Sequence, residues 1–212
     1  MSRLRSVLAA GSAALALSFA SGASAGLING GFETGDFTGW TQDFSSGGYQ
    51  GVVNAHSGNY GSYGPVGGNS FALFQAASMS ILTSISQGFA LDAGQTLTGW
   101  AFFDSQDYLP FNDYAKVEIR DSSNALVATP FYADVGMVGS YADGAWTPWS
   151  FTAAVDGVYT ILMGVANVGD NQYSSYAGFD EMHAPDPIPE PATLTLFGIG
   201  LAGLGAARRR KA

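Results

Sequence analysis

Residues 114–120 alternate without a break: Ala115, Val117 and Ile119 are apolar, and Lys116, Glu118 and Arg120 between them are charged. Successive side chains of a strand point to opposite faces, so this segment has one face for a core and one for water. A helix of the same sequence would scatter its charges around the axis. No stretch between 26 and 188 shows sustained helical periodicity. The spacing instead predicts strands at 27–33, 49–53, 71–75, 79–85, 96–104, 114–121, 125–132, 146–153, 157–167 and 176–183. They are rich in aromatic and β-branched residues and are separated by Gly, Asn, Asp and Ser, with a tight turn at Asp156-Gly157. Loops are expected at 56–70 (glycine-rich, with Tyr60, Tyr63 and Pro65), at 105–113 and at 133–145. Nine or ten strands at this spacing predict an all-β fold, an antiparallel β-sandwich of the jelly-roll kind. The body, roughly 160 residues, is long enough for one domain with a proper core. There is no cysteine, which excludes disulfides, thiol catalysis and cysteine-ligated zinc.

The two ends differ from the body. Residues 1–25 carry Arg3 and Arg5, an apolar stretch from Val7 to Phe19, and Ala23-Ser24-Ala25. This is the three-part order of a secretory signal peptide, with cleavage at the small residues Ala23 and Ala25 and a mature chain from Gly26. A Pro-rich linker follows the domain (26–184) at 185–191 and ends in Pro189-Glu190-Pro191. Next come 16 uncharged residues, 192–207, and then Arg208, Arg209, Arg210 and Lys211 within the tail 208–212. As a helix, the uncharged run reaches about 24 Å, against a hydrocarbon core of about 30 Å. The run can therefore span a bilayer with snorkelling or local thinning, and the basic cluster should stay cytoplasmic.

This tail resembles the PEP-CTERM sorting signal of Gram-negative bacteria, in the order Pro189-Glu190-Pro191, apolar helix, Arg208-Arg209-Arg210. The resemblance implies Sec export, a transient stay in the inner membrane and recognition by exosortase. It also implies delivery to the cell surface or matrix of exopolysaccharide-producing cells. The tail is then a sorting handle rather than a permanent anchor.

Charge follows the same division. Of eight basic residues only Lys116 and Arg120 lie in the body, whereas all 17 acidic residues fall between Glu33 and Glu190; two against 17 leaves a net charge of −15. Such a surface repels nucleic acid and anionic polymers and suits hydration and divalent cations.

The segment Asn29-Gly30-Gly31-Phe32-Glu33, with Trp40 beyond it, is similar to the opening of secreted jelly-roll modules of the carbohydrate-binding and galactose-binding-like type. Gly178-Phe179-Asp180-Glu181-Met182 occupies the place of their acidic last strand. The resemblance implies a structural Ca²⁺ between first and last strands, with Glu33 and Asp180 as ligands and Asp36 as a weaker candidate. Because neighbouring strand residues face opposite ways, Asp180 rather than Glu181 is expected to bind.

Carbohydrate sites pair aromatic faces with polar groups, since sugar rings carry both apolar C–H faces and hydroxyls. Tyr60, Tyr63, Tyr108, Tyr141 and Tyr173, with Tyr176 beside them, fall in or next to loops and are the candidates. The bland alternative is that they pack over the rim. For catalysis, His56 and His183 have no partner evident from spacing, Asp104 and Asp107 share one loop, and no serine sits in a nucleophile elbow. The expectation is a structural or adhesive module, not an enzyme, contacting exopolysaccharide or another surface protein. A secreted carbohydrate-active hydrolase is the competing class.

Overall fold

The computed structural model describes residues 26–185. The signal segment with Ala23 and Ala25, the PEP motif, the 192–207 run and the basic tail lie outside the described residues. Twelve strands form two five-stranded antiparallel sheets and a small hairpin. The first sheet runs β1 (Thr41–Asp43), β6 (Thr83–Leu91), β11 (Gly157–Ala166), β8 (Tyr114–Arg120), β9 (Leu126–Asp134). The second runs β10 (Thr147–Thr152), β7 (Thr96–Asp104), β12 (Tyr176–His183), β5 (Phe71–Gln75), β2 (Gln50–Val53). The hairpin pairs β3 (His56–Ser57) with β4 (Ser62–Tyr63). The all-β sandwich expected from the alternation is the architecture found.

The alternation at 114–120 points as read. Ala115, Val117 and Ile119 are fully buried against Ile161, Met163 and Val165 of β11 and Phe74, Phe103 and Phe179 of the opposite sheet. On the other face Lys116 and Arg120 both pair with Glu118 at 2.6 Å. A second apolar cluster lies on the outer face of the second sheet, where Tyr63 covers Phe71, Leu73 and Phe102. The expected 56–70 loop is therefore a flap, the β3–β4 hairpin plus its extension, folded onto that sheet.

Three boundaries differ from the sequence reading. The expected strand at 27–33 is a run of turns: Asn29 (φ 53°) and Phe32 (φ 56°) adopt left-handed backbone, and Phe32 N–H donates to the Asn29 carbonyl. The turns tuck Phe32 into the core beside Trp40, ring centroids 5.6 Å apart. Extended backbone would aim that ring elsewhere. The strand expected at 79–85 runs instead from Thr83 to Leu91, because buried Gln87 is satisfied: its side chain bonds the N–H and C=O of Ile28 at 2.6 and 2.9 Å. With both ends of its amide bonded, this buried polar residue continues the strand with Ile85, Phe89 and Leu91. Finally, the loop expected at 133–145 begins inside β9 and includes a one-turn helix, α1 (Val135–Val138), capped by Asp134 accepting from Met137 N–H. Among the described residues no helix is long and apolar enough to cross a membrane.

Candidate functional site

Three loops meet where β7 ends and β12 begins: 105–113, 139–146 and 167–175. Asp113, fully buried, accepts from Val168 N–H and from Ser175 Oγ, each at 2.8 Å, which ties the first loop to the third. Tyr141 N–H donates to the Asp107 carbonyl (2.9 Å) and Ser105 N–H to that of Ala142 (3.0 Å), which ties in the second. Burial pushes the Asp113 carboxyl up to about 6, against the hydrogen bonds from Ser175 and Val168 that pull it down. Hydrogen bonds, those of buried Asp113 among them, fasten the three loops to one another.

On this base stand three of the five candidate tyrosines. Tyr141 is central, its ring centroid 5.7 Å from that of Tyr108 with planes at 31°, and 6.2 Å from that of Tyr173 with planes at 90°. Tyr108 and Tyr141 are a little under two-fifths exposed and Tyr173 is 63% exposed. Phe111 packs edge-on to Tyr108 at 5.4 Å. Tyr141 (φ 55°) and Tyr173 (φ 50°) both hold left-handed backbone. For a bulky residue this costs roughly 1–3 kcal/mol each, and such strain gathers at functional sites. Beneath the rings lies Asp107, whose carboxyl is pushed up by burial and by the negative charge of Asp170. Burial and the neighbouring Tyr108, Tyr173 and Asp107 together push the Tyr141 phenol up.

The other two tyrosines part company. Tyr60, 81% exposed, stands at the margin of the same group. Asp143 accepts from Asn59 N–H (2.8 Å) and Tyr60 N–H (3.0 Å), and the Asn59 side chain donates to the carbonyls of Ser105 and Tyr141. Tyr63 is only 7% exposed, stacked on Phe102 at 3.7 Å, with its hydroxyl donated to the Gly144 carbonyl. It is spent on holding the flap, as is Trp146, whose indole N–H donates to the Gly64 carbonyl. Tyr176 packs on His56 at 4.6 Å.

The acidic candidates do a related job. Glu33 accepts from Asn69 and Ser70 N–H through one oxygen, both at 2.9 Å; Asp180 accepts from Val66 (2.7 Å) and Gly67 (3.2 Å) N–H. The two carboxylates clasp the end of the flap. Burial pushes Asp180 up to about 6, against the backbone donors of Gly67, Val66 and Glu181. Asp36 instead closes its own turn, accepting from Thr34 Oγ1 and Thr38 N–H, which holds its carboxyl below the usual range.

Strict alternation fails at Glu181. Its backbone is left-handed (φ 53°) and the ladder to β7 slips between Asp180 and His183. This bulge leaves Phe179 and Met182 in the core and puts the carboxylates of both Asp180 and Glu181 on the flap side. Both lie within 4 Å of where a Cβ on Gly31 would sit, and a Cβ on Gly67 would run into Glu181. Glu33, Asp180 and Glu181 are chemically suited to a hard cation. Several of their oxygens are already engaged by loop N–H groups, and among the described residues no group of three or more acidic or histidine side chains is arranged to hold a metal.

Sequence spacing showed no partner for either histidine. The structure pairs His56 Nε2 with Asp104 at 2.7 Å and His183 with Glu181 at 3.2 Å. His56 is enclosed by the rings of Tyr63, Phe102 and Tyr176, so its pairing with Asp104 anchors the flap.

Beyond the described residues, the chain from 187 to 211 matches the family model of the PEP-CTERM protein-sorting motif. The protein carries a PEP-CTERM sorting signal. The match takes in Pro189, Glu190, Pro191 and the three arginines from 208 to 210. No curated protein matches the chain. Among solved structures it is similar to TmCBM61 in complex with β-1,4-galactotriose (18% identity, TM-score 0.47, covering 76% of this chain and 97% of that one). It is also similar to the K3 cleaved adhesin domain of Lys-gingipain from Porphyromonas gingivalis (16% identity, TM-score 0.48, 76% and 99%). A third is the CBM22-1 xylan-binding domain from Paenibacillus barcinonensis Xyn10C (12% identity, TM-score 0.42, 76% and 94%). Likeness at this level assigns no ligand to this chain.

Proposed function

We propose that this is an exported protein of the cell envelope or extracellular matrix, processed by exosortase through its PEP-CTERM signal. Its β-sandwich binds exopolysaccharide through Tyr108, Tyr141 and Tyr173. One observation carries the reading: three tyrosines from three separate loops converge with their rings open to solvent, two of them on strained backbone. Exposed tyrosine faces offer apolar contact to sugar C–H faces, and their hydroxyls offer hydrogen bonds. The module is a binder rather than a hydrolase in this reading, since its His56–Asp104 pair is walled in by aromatic rings. Structural Ca²⁺ at Glu33 and Asp180 belongs to the same proposal, with the chemistry of the carboxylates as its support.

The test is retention of the purified protein on isolated matrix polysaccharide, wild type against Tyr173→Ala. Tyr173 is the most exposed ring of the three, so its loss should leave the fold intact and weaken binding about two- to twelvefold, the range for one aromatic contact worth roughly 0.5–1.5 kcal/mol. Equal retention of both proteins overturns the assignment of the site.

A further inference from the structure

We infer that the tyrosine site takes polymer while the chain is still held in the membrane by its tail, so that exosortase processing frees a module already able to hold exopolysaccharide and does not switch the site on. The inference rests on the sorting and glycan-binding readings above and adds where the site stands relative to the tether.

Strand order is the first ground. β12 is central in the second sheet, paired with β7 on one side and β5 on the other. It starts at Tyr176, opposite Asp104, just after the loop that carries Tyr173, and it ends at His183, opposite Thr98. Only Ala184 separates that end from the Pro-rich linker. The turns at 92–95, 121–125 and 153–156 lie at this exit end, since Leu91 pairs with Gly157, Thr96 with Thr152, and Arg120 with both Thr160 and Leu126. The loops of Tyr108, Tyr141 and Tyr173 are at the other end. A strand bonded on both sides holds the site away from its own exit.

Reach is the second ground, and it is independent of the rings. β7 runs from one end to the other, nine residues from Thr96 to Asp104, or roughly 26 Å at about 3.3 Å per step. The tyrosine loops extend past Asp104. From Pro185 to the start of the uncharged run at Ala192 there are seven steps, about 22 Å when extended at about 3.1 Å per residue. Stretched back along the domain, this linker still falls short of the tyrosines. With the uncharged run in the bilayer, the membrane meets the exit end. The tyrosines then face away from it, on the side from which a polymer approaches.

The probe is isolated matrix polysaccharide, titrated against the uncleaved full chain, one per lipid nanodisc, and against the processed form collected from cells that carry exosortase. The two should bind equally to within about twofold, since the tether removes no contact. Binding that appears only after processing, or is weaker in the disc by more than about tenfold, overturns the inference and leaves the glycan reading standing. Orientation is read separately. The chain has no cysteine, so Val155→Cys, on an exit-end turn and 64% exposed, and Gln172→Cys, beside Tyr173, each give a single labelling site. In the disc, Förster transfer to acceptor dyes on the lipid headgroups should be strong from position 155 and weak from position 172. Equal transfer from both overturns the placement of the tyrosines away from the membrane. If neither form binds while transfer still separates the two positions, it is the glycan reading that falls.

Discussion

Asp113 offers the sharpest test of how the site is held together. Its carboxyl is fully buried and is raised from 3.8 to about 6. The folded state therefore takes up a proton more readily than the unfolded chain. Stability from this group is fully present below pH 4 and is lost as pH rises through about 6, the reverse of an ordinary paired carboxylate. A shift of about two units corresponds to at most about 3 kcal/mol, and residual solvent screening reduces that to about 1–2 kcal/mol. Asp113→Asn preserves both contacts in neutral form: the amide oxygen accepts from Val168 N–H, and the NH₂ donates to Ser175 Oγ. The variant should match wild type near pH 4 and exceed it at pH 7 by about 1–2 kcal/mol, which is about 2–8 °C in Tm for a domain of this size. Because Asp180 is raised in the same direction, the variant should retain part of the wild-type pH slope. Thermal melts of both proteins from pH 4 to 8 measure this. A variant less stable than wild type by a pH-independent margin would show that the carboxylate is held ionised, and the reasoning would fail.

Other expectations follow from single contacts. Asp143→Ala removes the acceptor of the exposed Asn59 and Tyr60 N–H groups, which water then solvates, and should cost about 0.5–1.5 kcal/mol, read as a lower Tm and faster amide exchange at 58–61. Gly178→Ala drives a methyl group into the ring of Phe102 and should destabilise by about 1–3 kcal/mol through overpacking; an unchanged Tm would mean the flap yields freely. If Glu33 and Asp180 hold Ca²⁺, a chelator lowers Tm and added Ca²⁺ restores it, while Asp180→Asn abolishes the response. For sorting, replacing Pro189 and Glu190 by alanine should leave the protein in the inner membrane, assayed by fractionation. Normal surface delivery would remove exosortase processing from the proposal.

The polar and apolar periods were legible because each is a local property. Ala115, Val117 and Ile119 needed only a two-residue repeat to declare an inward face. The sorting tail needed only the order of its parts, and the −15 charge of the body only a count. Local signals misled where a side chain found a distant partner. Gln87 continues a strand because Ile28 satisfies it, and Glu181 escapes burial through a bulge that alternation cannot foresee. His56 gained Asp104 from 48 residues away.

The candidate tyrosines show the same division. Their residue type and loop placement could be read directly from the chain, and that made all five look alike. Which of them share a surface was decided by topology: the connections from β7 to β8, from β9 to β10 and from β11 to β12 bring Tyr108, Tyr141 and Tyr173 to one end, while the flap folds Tyr63 under its own hairpin. Periodicity is written in neighbouring residues. A binding surface is assembled from side chains more than 30 positions apart, and only the packing of the sheets brings them within reach.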